Sequence, residues 1–243
     1  MDPDTRLART AGLYYLLVAM FGGFAHAVRT QVYVADDAAA TLDNVVAHET
    51  LVRLSFAADL VSATFMVFLV LALHRLLAYV SPRTARTMLA LVITFVGIIC
   101  LNLVHQLGAL LVATETSYAA TFSPETTEGL VLLLMELQHH GYLIAQIFFG
   151  LWLWPLGRLV LMSGRFPRIL GHLLMAATVA YLVDVVLQFL ATDDLATAAS
   201  YVIVPIVLAG ELSMLGYLLV KGIRPVPDDV VPEAGTARST VAV

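Results

Sequence analysis

The chain contains six long apolar segments, and each approaches the roughly 20 residues that a helix needs to span a bilayer. Hydrophobic residues make up 60% of its 243 positions and charged residues only 13%, whereas soluble domains average about 25% charged residues. We therefore expect an all-α polytopic membrane protein, a bundle of six transmembrane helices whose partner is the lipid bilayer. The predicted helices lie roughly at 8–28, 53–77, 87–113, 128–156, 168–191 and 198–221.

Turn-forming residues mark several of the predicted helix ends. Ser123 followed by Pro124 combines an N-cap with a proline that is suited to the first helical position. Gly164 predicts the end of the fourth segment, because glycine is favoured just after the last turn of a helix. Pro155 and Pro205 lie inside apolar segments and are expected to kink or end their helices.

The distribution of lysine and arginine predicts the orientation of the bundle. If the N-terminus is cytoplasmic, only Arg29 and Arg53 of the 13 Lys and Arg residues lie outside, as the positive-inside rule requires. We therefore predict a plasma (inner) membrane protein with both termini cytoplasmic, a membrane domain over residues 1–224 and a disordered cytoplasmic tail at 225–243. The residues expected inside are Arg6, Arg9, Arg75, Arg83, Arg86, Arg158, Arg165, Arg168, Lys221, Arg224 and Arg238.

The first apolar segment has two possible interpretations. Arg6, Arg9 and the apolar run up to Ala25-His26-Ala27 also resemble a secretory signal, and its cleavage would leave five spans. We favour an uncleaved first span because the run is long and no polar mature domain follows it.

In the first outer loop, Asp36-Asp37 is expected to cap a short helix on the outer membrane surface. Its apolar side would carry Ala38, Leu42, Val45 and Val46.

Ionisable side chains inside the apolar segments are the strongest functional signal. Each would cost about 2.5–3.5 kcal/mol at a helix centre that faces lipid, so these groups should face one another, a cavity or a ligand. At about 1.5 Å per residue they fall in the outer half of the bundle, whereas Glu211 lies near mid-membrane. We therefore predict a water-accessible polar pocket that opens outward. Its predicted ligand-binding residues are Asp59, Asn102, His105, Glu136, His139, His140 and Asp184.

The fourth segment carries a possible metal-ligand pattern. Glu136 precedes His139 by three residues and His140 by four, so one helix face can present a carboxylate and an imidazole. These ligand types suit zinc, iron or manganese, and the three residues are our predicted metal ligands. A haem held by His105 and a histidine of the fourth helix is an alternative cofactor. The polar groups could instead bond one another and only specify helix packing.

Other classes of function lack a signal. The net charge is −5 and no basic stripe is present, so we expect no nucleic-acid partner. The single cysteine, Cys100, excludes an intrachain disulfide and a cysteine-based zinc site. No glycine-rich phosphate loop, Ser-His-Asp arrangement or nucleophile elbow occurs. Whether the protein is an enzyme stays open.

The segment Ser-Gly-Arg-Phe-Pro-Arg-Ile-Leu-Gly at 163–171 is the most specific of six short motifs in the chain. Together these motifs resemble a bacterial integral membrane family called domain of unknown function 4386. The resemblance implies a single helical membrane domain that ends near Gly222, with Asp59, Asp184 and Glu211 inside recognisable segments, and it carries no catalytic assignment. The other segments are 9–15, 56–60, 148–151, 181–184 and 210–212.

The sequence thus predicts an integral membrane protein that binds a metal ion, a haem or a small polar ligand in an outward-facing intramembrane pocket. The bound ligand could be the substrate of an enzyme. A small permease is the first alternative, and it would need a polar path that continues past Glu211 to the inner face. The second alternative is a structural or partner-binding helix bundle.

Overall fold

The computed structural model describes residues 3–224, and within this range the chain forms nine helices and no strands. The predicted tail at 225–243 lies outside the described residues. The helices are α1 (Pro3–Val32), α2 (Ala38–Ala47), α3 (Glu49–Leu77), α4 (Pro82–Thr114), α5 (Thr116–Ala119), α6 (Pro124–Leu151), α7 (Leu153–Ser163), α8 (Arg168–Leu190) and α9 (Asp193–Val220).

Six helical segments of the described chain are long and apolar enough to cross a membrane: α1, α3, α4, α6 with α7, α8 and α9. The prediction of an all-α, multi-pass membrane bundle is therefore confirmed. Most of these helices begin four or five residues before the predicted segments. The extra turns are polar, and they are helical because residues such as Ser81 and Ser123 cap them through hydrogen bonds to backbone N–H groups.

The fourth span is interrupted at Trp152. α6 ends at Leu151 and α7 begins at Leu153, because Pro155 has no N–H to donate to the Leu151 carbonyl four residues earlier. The interruption expected near Pro155 is therefore present. Pro205, by contrast, lies inside α9, which continues through it. The fourth span extends to Ser163, beyond its predicted end at 156.

The spanning helices form a closed ring. Around it, α1 packs on α3, α3 on α4, α4 on α6, α6 on α8, α8 on α9, and α9 on α1. α1 is thus a packed member of the bundle, although its sequence also resembles a secretory signal. Since α1 and α6 lie opposite each other in this order, side-chain contacts between them cross the interior of the ring.

One half of the ring interior is filled with apolar side chains. This half is the one nearest residues 3 and 224, and we call that end of the bundle the terminal face. α7 and the preceding Trp152 supply much of the filling, and Trp152, Leu156 and Leu159 are fully buried in one cluster with Leu73 of α3 and Leu218 of α9. Close packing of this kind holds helices together in a bilayer, where apolar burial from water contributes little between helices. It also closes the interior toward the terminal face.

Arg165 joins the two described ends of the chain at the terminal face. Its side chain is only 2% exposed. Its Nη1 donates to Asp4 Oδ2 at 2.7 Å, and its Nε donates to the Arg224 carbonyl at 2.8 Å. Gly164, at φ 65°, makes the left-handed turn that ends α7 and presents Arg165. Both described ends therefore lie on the same face, as an even number of spans requires.

The opposite end of the bundle, which we call the α2 face, is partly covered by α2. Asp37 caps this helix as predicted, accepting a hydrogen bond from the Ala40 N–H at 2.9 Å. Val45 is fully buried in a cluster with Val28 of α1 and Met135 of α6. α2 therefore packs on the end of the bundle through Val45, whereas Val46 is 49% exposed, and its expected position on the outer membrane surface stays a prediction. Its packing partners are α6, α4, α1 and α3, which leaves the α8–α9 end uncovered.

α6 extends beyond the ends of α1 and α8 at the α2 face. The His139 ring stacks on Tyr33, just past the end of α1, with centroids 5.5 Å apart, and His140 lies 6.0 Å from the Phe189 ring near the end of α8. From this level α6 continues about 22 Å to Pro124. Depth counted from the start of α6 therefore overestimated how far these histidines lie below the helix ends.

Candidate functional site

A buried ion pair between α1 and α3 lies on the α2 side of the ring interior. Arg29 Nη1 donates to Asp59 Oδ2, and each residue is only 7% exposed. Two charges removed from water are tolerated when they neutralise each other, whereas a single one would be costly. The sequence predicted Asp59 as a site residue but placed Arg29 in the outer flank. The structure places Arg29 inside α1, one turn before its end.

Tyr142 of α6 reaches across the ring to α1. Its ring centroid lies 5.3 Å from the Arg29 guanidinium carbon and 6.0 Å from the His26 ring, on which it stacks. A cation over a tyrosine face is attracted by the ring quadrupole, and the attraction strengthens when water is excluded. Since α1 and α6 are opposite members of the ring, this contact connects the two walls of the interior.

A second polar contact lies one turn deeper on α6. Gln146 follows Tyr142 by four residues, and its Nε2 donates to Asp184 Oδ2 of α8 at 2.7 Å. The Asp184 side chain is half-buried. Its carboxylate therefore has an interhelical amide partner and no cationic hydrogen-bond partner in the described chain.

Glu211 of α9 forms the deepest contact of the series. Its Oε2 accepts a hydrogen bond from the Tyr15 hydroxyl of α1 at 2.9 Å, and its Oε1 accepts one from the Tyr181 hydroxyl of α8. Along α9, Glu211 is about 27 Å from the end at the α2 face and about 14 Å from the terminal end. The polar contacts therefore extend past the middle of the bundle.

These contacts form one polar array along the ring interior. Tyr142 contacts Arg29 through its ring, and Gln146, one turn away on the same helix, binds Asp184. Tyr181, one turn from Asp184 on α8, binds Glu211. On α1 alone the array runs from Tyr15 to Arg29, a rise of about 21 Å. Five of the six spanning segments contribute to it. The residues of the polar array are Tyr15, His26, Arg29, Asp59, Tyr142, Gln146, Tyr181, Asp184 and Glu211.

An unpaired donor borders the deep end of the array. Trp152 Nε1 is buried and has no hydrogen-bond partner in the described part of the chain. The Trp152 ring lies edge-on to Tyr15, with centroids 6.1 Å apart. Buried polar atoms are satisfied in most proteins, and an exception marks a place where water or a ligand atom would be accommodated.

The predicted metal residues lie at the uncovered rim of the α2 face. The His139 ring also lies 5.4 Å from that of His140, whose Nδ1 is 2.9 Å from the Glu136 carbonyl oxygen. Burial, together with the Glu136 and Asp36 carboxylates, raises the pKa of the neighbouring Tyr33 phenol. Within residues 3–224, no three His, Cys, Asp or Glu side chains are grouped as ligands for one metal ion.

The predicted residues of α4 form a separate contact with α6. Asn102 Nδ2 donates to the Gln138 carbonyl at 2.7 Å, and its Oδ1 lies 3.1 Å from His105 Nδ1. The amide is pressed against Gly141, where an added Cβ would lie 2.1 Å from Asn102 Oδ1. Asn102 therefore joins α4 to α6, and within residues 3–224 the hydrogen bonds of this pair do not include a residue of the polar array.

Two shallow cavities of the described chain lie elsewhere. One, of about 280 Å³, is lined by Val179, Val183 and Val186 of α8 with neighbouring leucines, and the other, of about 330 Å³, includes Trp154 and Arg158 of α7. Neither is lined by a residue of the polar array.

Comparison with known protein families identifies a match over residues 10–222, to the model described as Domain of unknown function (DUF4386). The chain belongs to the DUF4386 family. No curated protein and no solved structure matches it. The matched range of DUF4386 reaches into all six spanning segments of this chain and omits only residues 3–9 of the first, so it contains every residue of the polar array.

The structure divides the predicted site of this DUF4386 protein into three places. Asp59 and Asp184 lie in the polar array, Asn102 and His105 lie between α4 and α6, and the three remaining residues lie at the rim. Sequence analysis missed the uncharged members of the array. Helical spacing was the available signal, since Tyr142 and Gln146 share a face at i+4, as do Tyr181 and Asp184 at i+3.

Removing either hydroxyl that binds Glu211 should destabilise the bundle. We expect Tyr15→Phe and Tyr181→Phe each to lower the free energy of unfolding by about 1–3 kcal/mol, because each leaves a buried carboxyl oxygen of Glu211 without its donor. Thermal unfolding of the detergent-purified variants measures this loss. Tyr79→Phe, at a tyrosine that is 54% exposed, should stay within about 0.5 kcal/mol of wild type. Equal losses of unfolding free energy at all three positions would show that the two hydrogen bonds to Glu211 do not stabilise the bundle.

Proposed function

We propose that this DUF4386 protein binds a small polar ligand in the ring interior, which the ligand enters from the α2 face. The observation that carries the proposal is the polar array, in which side chains of five spanning segments meet inside a ring of membrane helices. Ionisable groups are expensive in a bilayer and mark functional sites by default. Helix packing alone does not require a continuous series of polar contacts that extends about 21 Å along one helix.

The α2 face is the external one in this proposal. The terminal face carries Arg6, Arg9, Arg165, Arg168 and Lys221, and the positive-inside rule assigns such a face to the cytoplasm. The protein would then lie in the inner (plasma) membrane of a bacterium with both termini cytoplasmic. The apolar half of the ring closes the site toward the cytoplasm, so the ligand is taken from outside.

The charge balance of the polar array favours a cationic ligand or one rich in hydrogen-bond donors. Arg29 is neutralised by Asp59, whereas Asp184 and Glu211 are held by neutral donors. A cation that enters the array would therefore meet carboxylates with no cationic hydrogen-bond partner, beside the ring face of Tyr142. Carboxylates and aromatic faces together suit a small amine or ammonium group.

A metal ion or haem is the other ligand class that we carry forward. Glu136, His139 and His140 supply suitable ligand atoms at the rim. Because His140 Nδ1 lies against its own helix carbonyl, a metal bound there would use Nε2 or require the ring to turn. Binding an organic ligand in the polar array would not require the His140 ring to turn. We therefore favour an organic polar ligand over a metal ion.

Ligand-dependent stabilisation tests the proposal. Purified protein is heated with panels of amines, quaternary ammonium compounds, amino acids and divalent metals, and elemental analysis and an absorbance spectrum report any metal or haem that co-purifies. We expect one organic class to raise the unfolding temperature, since a ligand at 100 times its Kd adds about 2.7 kcal/mol.

Matched variants show which part of the protein binds a stabilising ligand. Asp184→Asn in α8 should abolish the effect of an organic ligand, and Asp194→Asn, at an exposed residue near the start of α9, should not. A metal or haem signal that disappears in His139→Ala/His140→Ala would move the site to the rim. No stabilisation by any class, with every variant folded, would leave the array as packing only.

A permease is supported by one specific observation, the position of Glu211 beyond the middle of α9. Transport would require the apolar terminal half to open in a second conformation. Uptake into proteoliposomes of the compound that stabilises the protein, lost in Glu211→Gln, would establish transport. Binding without uptake would favour an enzyme or a receptor.

A further inference from the structure

We propose that Tyr142 is a gate that divides the ring interior into an outer vestibule and a deep compartment. The proposal rests on the proposed function, because it assigns a means of access control to the same interior. It concerns Tyr142, Arg29 and His26, none of which was a predicted site residue.

The first argument is position. α1 and α6 are not neighbours in the ring, yet the Tyr142 side chain meets Arg29 and His26 on the far wall, with separations of 5.3 and 6.0 Å. A ring that spans the interior from one wall to the other obstructs passage along it. On the side of the α2 face lies the uncovered rim with His139, and on the other side lie Gln146 and Glu211.

The second argument is that the far wall is held firmly. Arg29 is fixed by its ion pair with Asp59, and the pair is buried between α1 and α3. α3 in turn is anchored to α1 one turn deeper, where Ser62 Oγ donates to the Val18 carbonyl at 3.2 Å. Tyr142 therefore closes against an ordered Arg29 side chain. An arginine without an ion-pair partner would be flexible and would not form such a surface.

The third argument is that Tyr142 itself has freedom to move. Its side chain is mostly buried but retains some exposed surface, and the His26 ring on which it stacks is exposed. The two contacts are ring contacts, and the described chain gives the Tyr142 hydroxyl no hydrogen bond. Rotation of one side chain would therefore open the passage without moving a helix.

Cysteine accessibility separates the two compartments. In a Cys100→Ala background, His139→Cys reports on the vestibule and Gln146→Cys, on the same helix, reports on the deep compartment. Intact cells are treated with a charged, membrane-impermeant methanethiosulfonate reagent, and labelling rates are measured. Asp43→Cys on exposed α2 verifies that the α2 face is external, and Leu101→Cys, which is 72% exposed on the outer surface of the ring, is the lipid-facing control.

We expect rapid labelling of His139→Cys and slow labelling of Gln146→Cys. Adding Tyr142→Ala to Gln146→Cys should raise its rate about tenfold or more, which corresponds to about 1.4 kcal/mol of lost barrier. Tyr142→Phe should leave the slow rate unchanged, because the ring remains. Elution of each variant as a single folded species from a sizing column guards against unfolding as the cause.

The outcomes distinguish the gate from the site. Fast labelling of Gln146→Cys with Tyr142 intact, or an unchanged slow rate after Tyr142→Ala, would overturn the gate while the vestibule stands. If His139→Cys is labelled but Gln146→Cys stays unreactive in every background, the deep compartment is not accessible to solutes and both proposals fail. No labelling of Asp43→Cys would reverse the assigned orientation, and the same set is then measured in inverted vesicles.

Discussion

Asp59→Ala is expected to lower the free energy of unfolding by about 3–5 kcal/mol, since it leaves the Arg29 guanidinium buried and unpaired. The loss is large because both residues are only 7% exposed, so water cannot replace the missing carboxylate without opening the α1–α3 contact. Unfolding of the detergent-purified variant by heat or by a titration of denaturing detergent measures the effect.

An exposed ion pair of the same chemistry provides the control. Arg53 and Glu49 pair at 2.8 Å on the surface of α3 with side chains 48% and 43% exposed. Glu49→Ala should therefore cost at most about 1 kcal/mol. A loss in Asp59→Ala no greater than that in Glu49→Ala would contradict the view that the buried pair is isolated from solvent.

The double variant Arg29→Leu/Asp59→Leu separates stability from function. Replacing both charges of a buried pair by apolar residues is often neutral, because it also removes the desolvation cost. We expect it to recover most of the stability lost in Asp59→Ala. If it does so and yet no longer shows ligand-dependent stabilisation, the ion pair serves the site in addition to the fold.

Gly157→Ala is the second large effect that we expect, with a loss of about 1–3 kcal/mol from overpacking. α7 and α8 approach so closely at this point that an added Cβ would lie 2.7 Å from the Gly171 carbonyl oxygen and 2.9 Å from Met175 Cγ. The nearest atom belongs to the backbone and cannot rotate away, so α7 itself would have to shift. Thermal unfolding of the variant tests this expectation.

A glycine in open space gives the matched comparison. An added Cβ on Gly97 in α4 would meet no atom within 4 Å. Gly97→Ala should therefore be neutral or slightly stabilising, because alanine is the better helix former by about 1 kcal/mol. Destabilisation by both substitutions to a similar degree would show that the α7–α8 contact adapts without cost.

The shift of α7 has a consequence for access to the site. α7 fills much of the terminal half of the ring with Leu153, Leu156 and Leu159. If Gly157→Ala displaces it, the interior should become more accessible from the terminal face. Cysteine labelling of Gln146→Cys from the cytoplasmic side would then rise in this background and would not rise in Gly97→Ala.

The sequence by itself determined the class of protein and the membrane helices. Six apolar segments and a low content of charge leave a chain no stable fold in water, and the caps at Ser123 and Gly164 are local properties of the backbone. The charged residues inside the segments also followed from the sequence, because Asp59 and Asp184 can be recognised in their apolar segments without knowing how the helices pack. These features depend on neighbours along the chain, and for that reason they could be predicted.

The tertiary structure decided which polar groups meet. The partner of Asp59 is 30 residues away, and those of Glu211 are 196 and 30 residues away. Such partners depend on the order of helices around the ring, which hydropathy does not encode. The same reason explains why Asn102 bonds the backbone of α6, why α2 packs on the bundle through Val45, and why an uncharged tyrosine, Tyr142, reaches across the interior to Arg29.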